Sequence, residues 1–232
     1  MDEQIVVVRR SDFFGGDWPQ GFVAREAAEL AALHRAFLAA AFAVPRGVAE
    51  KEPLWKQLVP YCVLTRGESV FAVQRRQAQG EARLHGSWSI GLGGHMDAQD
   101  LDAADPVSAA VARELAEELD VQDAEAPVPL GLINDDSNEV GRVHVGLVHH
   151  VRVRAGGDVL VREIHKMAGG FVALPGQPRR GHGPVVTPDS LWQDPGRFET
   201  WSRLLLPAVT RMGIRADHGS NSTPSREEAS HG

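Results

Sequence analysis

The residues of this chain best suited to chemistry are three glutamates in one short segment. The segment 109–121 reads AAVARELAEELDV and contains Glu114, Glu117 and Glu118. An α-helix has 3.6 residues per turn, so these positions lie on one side of it and direct three carboxylates to one patch. Like charges at that spacing raise one another's pKa unless a cation neutralises them, and a hard divalent ion prefers oxygen ligands. The segment therefore predicts either a metal site or the solvated acidic face of an amphipathic helix.

The neighbouring elements are those that must position these carboxylates. Asp105 followed by Pro106 predicts an N-cap and a first helical residue, with the helix reaching about Leu119. A strand-like piece upstream ends in Gly93 and Gly94, where the lack of a side chain allows close approach of the backbone to a ligand. The acidic helix is thus predicted to follow a strand and a glycine loop.

The rest of the chain supplies further strands and helices by its periodicity and turn residues. We predict strands at 4–9, 58–65, 69–75, 142–153 and 171–174, helices at 24–42 and 198–212, and a loop at 134–141. Residues 1–57 form an N-terminal extension of strand plus helix packed on a core domain at 58–213. The polar, Ser-rich segment 214–232 is predicted to be a disordered tail.

Composition limits the possible partners. The chain has 232 residues, a formal net charge of −7 and a single cysteine, Cys62. The negative charge argues against a broad surface for nucleic-acid polymers or anionic membranes, so phosphate must be met by a local basic cluster or a bound cation. One cysteine excludes an intrachain disulfide framework and favours a reducing, cytoplasmic setting. The acidic N-terminus and the short apolar runs predict neither an export signal nor a membrane segment.

The glycine loop and acidic helix together resemble the Nudix box, whose pattern is G-x5-E-x7-R-E-U-x-E-E-x-G-U, with U a bulky aliphatic residue. Positions that match are Gly94, Arg113, Glu114, Leu115, Glu117, Glu118 and Val121. Two positions depart from the pattern. The loop from Gly94 to Asp105, which stands where the family has glutamate, is about five residues longer, and Asp120 replaces the closing glycine. The segments 55–61, 83–88 and 133–142 are similar to a MutT-like Nudix subgroup described as predicted phosphoesterases.

This resemblance implies a fold, an activity and a cofactor. The fold is of the α/β (α+β) class, a mixed β-sheet sandwiched between helices. The activity is hydrolysis of a diphosphate linkage in a small, nucleoside-diphosphate-like substrate. The cofactor is Mg²⁺, with Mn²⁺ as an alternative, held by Glu114, Glu117 and Glu118, while Arg113 orients a box carboxylate.

Further candidates lie outside the acidic helix. The residues predicted to bind substrate are Gly93, Gly94, His95, Arg75, Arg76 and Arg83. Guanidinium groups match phosphate oxygens, although the three arginines could also be ordinary surface residues. Glu139 is a candidate fourth ligand or general base, and its alternative is a solvated residue of a turn rich in Asn and Asp.

Two rival functions stay open. One is a non-catalytic, nucleotide-binding regulatory module on the same fold. The other is an isomerase, as in isopentenyl diphosphate isomerase, which uses a cysteine and a glutamate and here would depend on Cys62. The helix at 24–42 could pack in the core or form the contact of a homodimer. The sequence does not identify the nucleoside or the group joined to it.

Overall fold

A computed structural model of the chain describes residues 3–75, 87–175 and 189–218. Its strands are β1 (Gln4–Arg9), β2 (Gly21–Ala24), β3 (Phe42–Pro45), β4 (Trp55–Arg66), β5 (Ser69–Arg75), β6 (Trp88–Ser89), β7 (Leu119–Val121), β8 (Val128–Asn134), β9 (His144–Arg152), β10 (Val159–Val161) and β11 (Met167–Ala173). Its helices are α1 (Ala27–Ala40), α2 (Arg46–Ala49), α3 (Pro106–Glu118), α4 (Glu139–Val143) and α5 (Thr200–His218). In these described ranges, no helix is long and apolar enough to cross a membrane.

One mixed sheet organises the described residues. Its strands follow the order β11-β5-β4-β9-β8-β2, with β1 added beside β4, β3 beside β1 and β6 beside β5. The central pair β4 and β9 runs parallel, and the other pairs are antiparallel. A small second sheet joins β7 to β10 directly after the acidic helix. The sheet is therefore mixed, as the resemblance implied.

Helices cover both faces of this sheet. Along β4, Leu58, Cys62 and Leu64 pack in clusters that include α1 or α3, whereas Tyr61 and Val63 pack in the cluster that includes α5. Alternate residues of a strand point to opposite faces, so a strand buried on both sides needs an almost continuous apolar run. The prediction of a sheet between helices is confirmed.

The sheet has an opening between β4 and β5. These strands pair only beside their connecting turn, where Thr65 faces Val70 and Arg66 faces Ser69. Farther along, the chain segment that carries the glycines enters between them: Ser89 pairs with β5, and Leu92 exchanges backbone hydrogen bonds of 2.7 and 2.9 Å with Cys62. The opening brings residues from both helical layers to one place.

Several elements differ from those predicted. The structure adds β2, β3 and β8, and β1 and β2 hydrogen-bond to β4 and β8, so the N-terminal segment extends the main sheet. The predicted loop at 134–141 ends in the short helix α4, because Asn138 caps it by accepting a 2.8 Å hydrogen bond from the Gly141 N–H. Helix α5 continues past residue 212 to His218. The remainder of the predicted tail, 219–232, lies outside the described residues.

Candidate active site

Helix α3 begins where the sequence indicates. Asp105 is the N-cap, and its carboxylate accepts hydrogen bonds from the backbone N–H of Ser108 at 3.2 Å and from the Ser108 hydroxyl at 2.6 Å. These bonds lower the pKa of Asp105. Pro106 occupies the first turn, where its missing N–H is not needed. Asp105 thus acts as a cap at the far end of the helix from Glu117 and Glu118.

The three box glutamates lie in different environments. Glu114 is buried, Glu118 is half-buried, and the side chain of Glu117 is 60% exposed. Burial raises the pKa of Glu114 and, with the added charge of Glu114, raises the pKa of Glu118 to about 7. In the described part of the chain, no three acidic, His or Cys side chains are already arranged as metal ligands. The carboxylates are close neighbours on α3 without forming a closed ligand set.

Arg113 is held between the acidic helix and the loop before it. Its guanidinium donates to Glu114 Oε1 at 2.8 Å and to Glu117 Oε1 at 3.4 Å. It also donates to both oxygens of Asp100 at 3.2 and 2.9 Å, and to the backbone oxygen of His95 at 2.9 Å. Arg113 therefore fixes the Glu114 carboxylate relative to the glycine loop.

The long loop before α3 provides this anchor. Residues 98–102 form a short 3₁₀ helix in which Asp97 and Asp100 form a capping box, with Asp100 buried. Sequence reasoning did not single out Asp100. A signal was present in the spacing, because Asp100 stands six residues after Gly94, where the pattern G-x5-E has its glutamate. The additional residues of the loop therefore lie between Asp100 and Arg113.

The two glycines of the loop make different close contacts. A Cβ on Gly93 would lie 1.8 Å from the backbone oxygen of Pro60, in β4. A Cβ on Gly94 would lie 2.4 Å from Glu114 Oε2. Glycine is therefore required at Gly93 by the sheet, and at Gly94 by the buried carboxylate. The longer loop keeps Gly94 in contact with the acidic helix.

A small cleft opens beside the C-terminal end of α3. Three residues predicted from the sequence line it together: Glu118, Gly93 and Arg75. The opening between β4 and β5 explains this grouping, because Arg75 ends β5 and Gly93 lies beside β4. The cleft thus joins one predicted metal ligand with two predicted substrate-binding residues.

The same cleft contains a carboxylate that sequence reasoning missed. Glu199 directly precedes α5, and its Oε1 accepts hydrogen bonds from three hydroxyls. The hydroxyls are those of Tyr61 at 2.6 Å, Ser89 at 2.6 Å and Ser202 at 3.1 Å. The single proton of the Ser89 hydroxyl is shared between Glu199 Oε1 and the backbone oxygen of Gly91, which lies at 2.5 Å. Burial and the charge of Glu199 raise the pKa of Tyr61, so its hydroxyl keeps its proton. Tyr61 and Ser89 lie 138 and 110 residues away in sequence, so no local pattern indicated the group.

His95 contacts His144, which directly follows the short helix that begins at Glu139. His95 Nε2 is 3.0 Å from His144 Nε2, and His144 Nδ1 is 2.6 Å from the backbone oxygen of Val140. The ring of His95 thus faces β9 and connects the loop to α4, whose first residue is the exposed Glu139. Two predicted substrate-binding residues, Arg76 and Arg83, lie outside the described residues.

Cys62 is placed in the core. It is 1% exposed, and burial together with the charges of Glu118 and Glu114 raises the pKa of its thiol to about 12. A nucleophilic cysteine acts as a thiolate, which this environment disfavours. Cys62 gives no support to the isomerase alternative.

Known proteins resemble this chain in sequence and in structure. The Bacillus subtilis (strain 168) protein YmaB is 37% identical over 212 residues, which cover 89% of this chain and 97% of YmaB. The crystal structure of Tm1382, which is assigned to the Nudix hydrolases, matches with a TM-score of 0.68 at 27% identity, over 90% of this chain and 100% of Tm1382. A MutT Nudix hydrolase from Burkholderia pseudomallei matches at 21% identity with a TM-score of 0.43, over 66% of this chain and 96% of that protein. No family model matches the chain.

The matches to YmaB and Tm1382 both extend over about nine-tenths of the chain. They include the sheet, the glycine loop and the helix that carries Arg113, Glu114, Glu117 and Glu118. The match to the Nudix hydrolase Tm1382 and the Nudix-box residues of this chain indicate the same family, and the chain belongs to the Nudix hydrolases.

Proposed function

We propose that the protein is a divalent-metal-dependent hydrolase that cleaves a diphosphate linkage in a small, nucleoside-diphosphate-like substrate. The observation that carries the proposal is the environment of Glu118. This carboxylate lies beside Glu114 on α3, has a pKa raised to about 7, and lines the same cleft as Arg75 and Gly93. A shielded carboxylate with a perturbed pKa in a cleft is typical of a functional site.

The side chains of α3 fit a divalent cation by their chemistry. Glu114 is buried and Glu118 is half-buried, and burial together with the charge of Glu114 raises the pKa of Glu118. A cation between them would remove this repulsion, and oxygen ligands suit Mg²⁺ or Mn²⁺. Glu117 is exposed and makes only a 3.4 Å contact with Arg113, so its carboxylate can turn toward an ion. When bound, the ion would screen phosphate oxygens and lower the pKa of an attacking water.

The protein's own groups divide the remaining tasks. Arg113, bound to Asp100, holds the Glu114 carboxylate in one orientation. Arg75 lines the cleft beside Glu118 and would bind oxygens of a phosphate that is not attacked. Glu139 stays the candidate for the proton acceptor or a further ligand. The contact of His95 with His144, whose other nitrogen binds α4, supports a position for Glu139 near the glycine loop.

The experiment is a hydrolysis assay on a panel of nucleoside diphosphate esters, with Mg²⁺, with Mn²⁺ and in excess EDTA. We expect product release only with a divalent ion. Glu117→Gln and Glu118→Gln should each lower kcat by at least about 100-fold, because each change removes a ligand charge and keeps the side-chain size. Glu125→Gln is the matched control, since Glu125 is an exposed residue paired with Arg152 at 3.6 Å.

The non-catalytic binding module is the alternative that this assay tests. Binding of the same compounds, measured by calorimetry without any turnover in Mg²⁺ or Mn²⁺, would support the module and contradict the hydrolase. The cytoplasmic location and the homodimer stay predictions, the first supported by the single, buried cysteine.

A further inference from the structure

The carboxylate of Glu199 is unusual in how its two oxygens are used. Oε1 accepts hydrogen bonds from the hydroxyls of Tyr61, Ser89 and Ser202. Within the described residues, no group donates a hydrogen bond to Oε2. Because Glu199 also lines the cleft, Oε2 is the oxygen left to accept a hydrogen bond from a ligand there.

The group that holds Glu199 is rigid. Tyr61 is buried in β4, Ser89 lies in β6, and Ser202 accepts a 2.9 Å hydrogen bond from the backbone N–H of Ile90. A Cβ on Gly91 would lie 2.2 Å from the Tyr61 ring, so the backbone packs directly on that ring. Tyr61 and Ser202 donate to Oε1, and the Ser89 hydroxyl shares its one proton between Oε1 and the Gly91 backbone oxygen. These hydroxyls from three elements fix the direction of the carboxylate before any ligand binds, which reduces the entropy that binding must offset.

Charge determines what can lie next to Glu199. The cleft has the carboxylates of Glu118 and Glu199 and the guanidinium of Arg75. Phosphates are compatible with the Glu118 end, where Arg75 and the proposed cation supply positive charge. Beside Glu199, a phosphate would meet a second negative charge, and the repulsion is strong where water is scarce. A neutral group that donates hydrogen bonds is favoured at this end.

From this arrangement we infer that Glu199 determines substrate specificity by accepting hydrogen bonds, through Oε2, from O–H or N–H donors of an uncharged part of the substrate. The inference rests on the proposed function and defines its substrate class. The diphosphate is esterified to a neutral group rich in donors, such as a sugar, and carries no further phosphate at that end. Tyr61 and Ser89 are positioning residues, because they act through Glu199.

Two pairs of compounds test whether the hydrogen-bond donor to Glu199 lies on the sugar or on the base. The sugar pair is ADP-ribose and ADP esterified with pentanol, which lacks the hydroxyls. The base pair is ADP-ribose and its analogue without the adenine amino group. We expect the wild-type protein, in Mg²⁺, to prefer the donor-bearing member of one pair by at least about tenfold in kcat/KM, since a buried acceptor left unpaired is costly. ATP should be a poorer substrate than ADP-ribose.

The variant that tests the inference is Glu199→Gln. It keeps one side-chain oxygen to accept from the hydroxyls and replaces the second oxygen, an acceptor, with an NH₂ group that donates hydrogen bonds. It should reduce the preference at least about tenfold, mainly through KM, and should lessen the disadvantage of ATP. Tyr61→Phe removes one hydroxyl from Oε1 and should change the same preference in the same direction by less. Glu125→Gln is the control for a change of charge elsewhere.

Each outcome is decisive. Loss of preference in the sugar pair alone assigns the donor to the sugar, and loss in the base pair alone assigns it to the base. Three results would overturn the inference and leave the proposed hydrolase function intact. The wild-type enzyme turns over both members of each pair equally, it accepts only ATP, or its preferences are unaltered by Glu199→Gln and Tyr61→Phe. If no compound is turned over with any divalent ion, the proposed function itself fails.

Discussion

Replacing Glu118 with glutamine should stabilise the metal-free protein while it removes activity. Burial and the charge of Glu114 raise the pKa of Glu118 to about 7, against the opposing charges of Arg75 and Lys166. An unfolded glutamate has its ordinary pKa of 4.5. The folded state therefore holds the Glu118 proton more tightly than the unfolded state does. Stability falls as the pH rises from about 4.5 to about 7, and the loss is complete above that range.

The size of the effect follows from the two pKa values. Each pH unit in this range costs about 1.4 kcal/mol, so ionised Glu118 destabilises the metal-free fold by about 3 kcal/mol at pH 8. Glutamine cannot ionise and avoids that cost. The stability advantage of Glu118→Gln over the wild type should therefore grow by about 2 kcal/mol between pH 5 and pH 8.

The assay is urea unfolding in excess EDTA at pH 5 and pH 8, followed by circular dichroism. The matched control is Glu117→Gln, the same change one residue away on a side chain that is 60% exposed. It should shift stability by less than about 0.5 kcal/mol at either pH. Adding Mg²⁺ should stabilise the wild type more than Glu118→Gln, because the ion binds the folded carboxylates. Equal stability of Glu118→Gln and the wild type at pH 8 in EDTA would refute the reasoning. Equal stabilisation of these two proteins by Mg²⁺ would refute it as well.

Three further predictions follow from the site and the core. Gly94→Ala should lower kcat and should cost less stability than Gly93→Ala, because the new Cβ meets the end of the Glu114 side chain, whereas at Gly93 it meets a backbone oxygen. Thermal melts and kinetics distinguish the two variants, and equal behaviour would contradict the assignment. If Glu139 is the base, Glu139→Gln should lower kcat and leave the Mg²⁺ affinity unaltered; if it is a ligand, the Mg²⁺ concentration needed for activity should also rise. Unaltered kinetics would exclude both roles and leave Glu139 as a solvated residue of α4. Burial and the nearby His149 lower the pKa of His34 from 6.5 to about 4, so the stability that neutral His34 contributes is present above pH 6.5 and is lost as the pH falls toward 4. In urea unfolding, the wild type should lose about 2 kcal/mol more stability than His34→Leu between pH 7 and pH 5. Parallel stability profiles of the two proteins would contradict this prediction.

The loop before α3 explains why a departure from the family pattern leaves the glycine contact intact. The 3₁₀ helix at 98–102 contains Asp100, which stands six residues after Gly94 as the pattern requires, and Asp100 binds Arg113 through two hydrogen bonds. Arg113 in turn binds Glu114, which Gly94 contacts from the other side. We conclude that the anchor of the box arginine keeps its spacing from Gly94, and that the additional residues are accommodated between Asp100 and α3.

Local sequence determined the elements whose signals are local. The N-cap at Asp105, the proline at Pro106 and the periodicity of the acidic segment predicted α3, and helical geometry placed its glutamates on neighbouring turns. The turn around Gly67 predicted the β4–β5 hairpin, and alternating residues predicted β9. In each case the interactions that form the element lie within a few residues of one another.

Tertiary structure alone decided the elements and contacts that join distant segments. Strand β2 has four residues and exists because β8, more than a hundred residues later, pairs with it. Glu199 entered the cleft because β4 and β5 diverge and let the segment at Ser89 reach the start of α5. Pairing between such distant strands depends on which backbone N–H and C=O groups remain without a partner in the folded sheet. The local sequence pattern of either strand does not predict it. The sequence thus predicted a chemical centre on the acidic helix, whereas the packing of both helical layers around one opening determined which other residues share a cleft with Glu118.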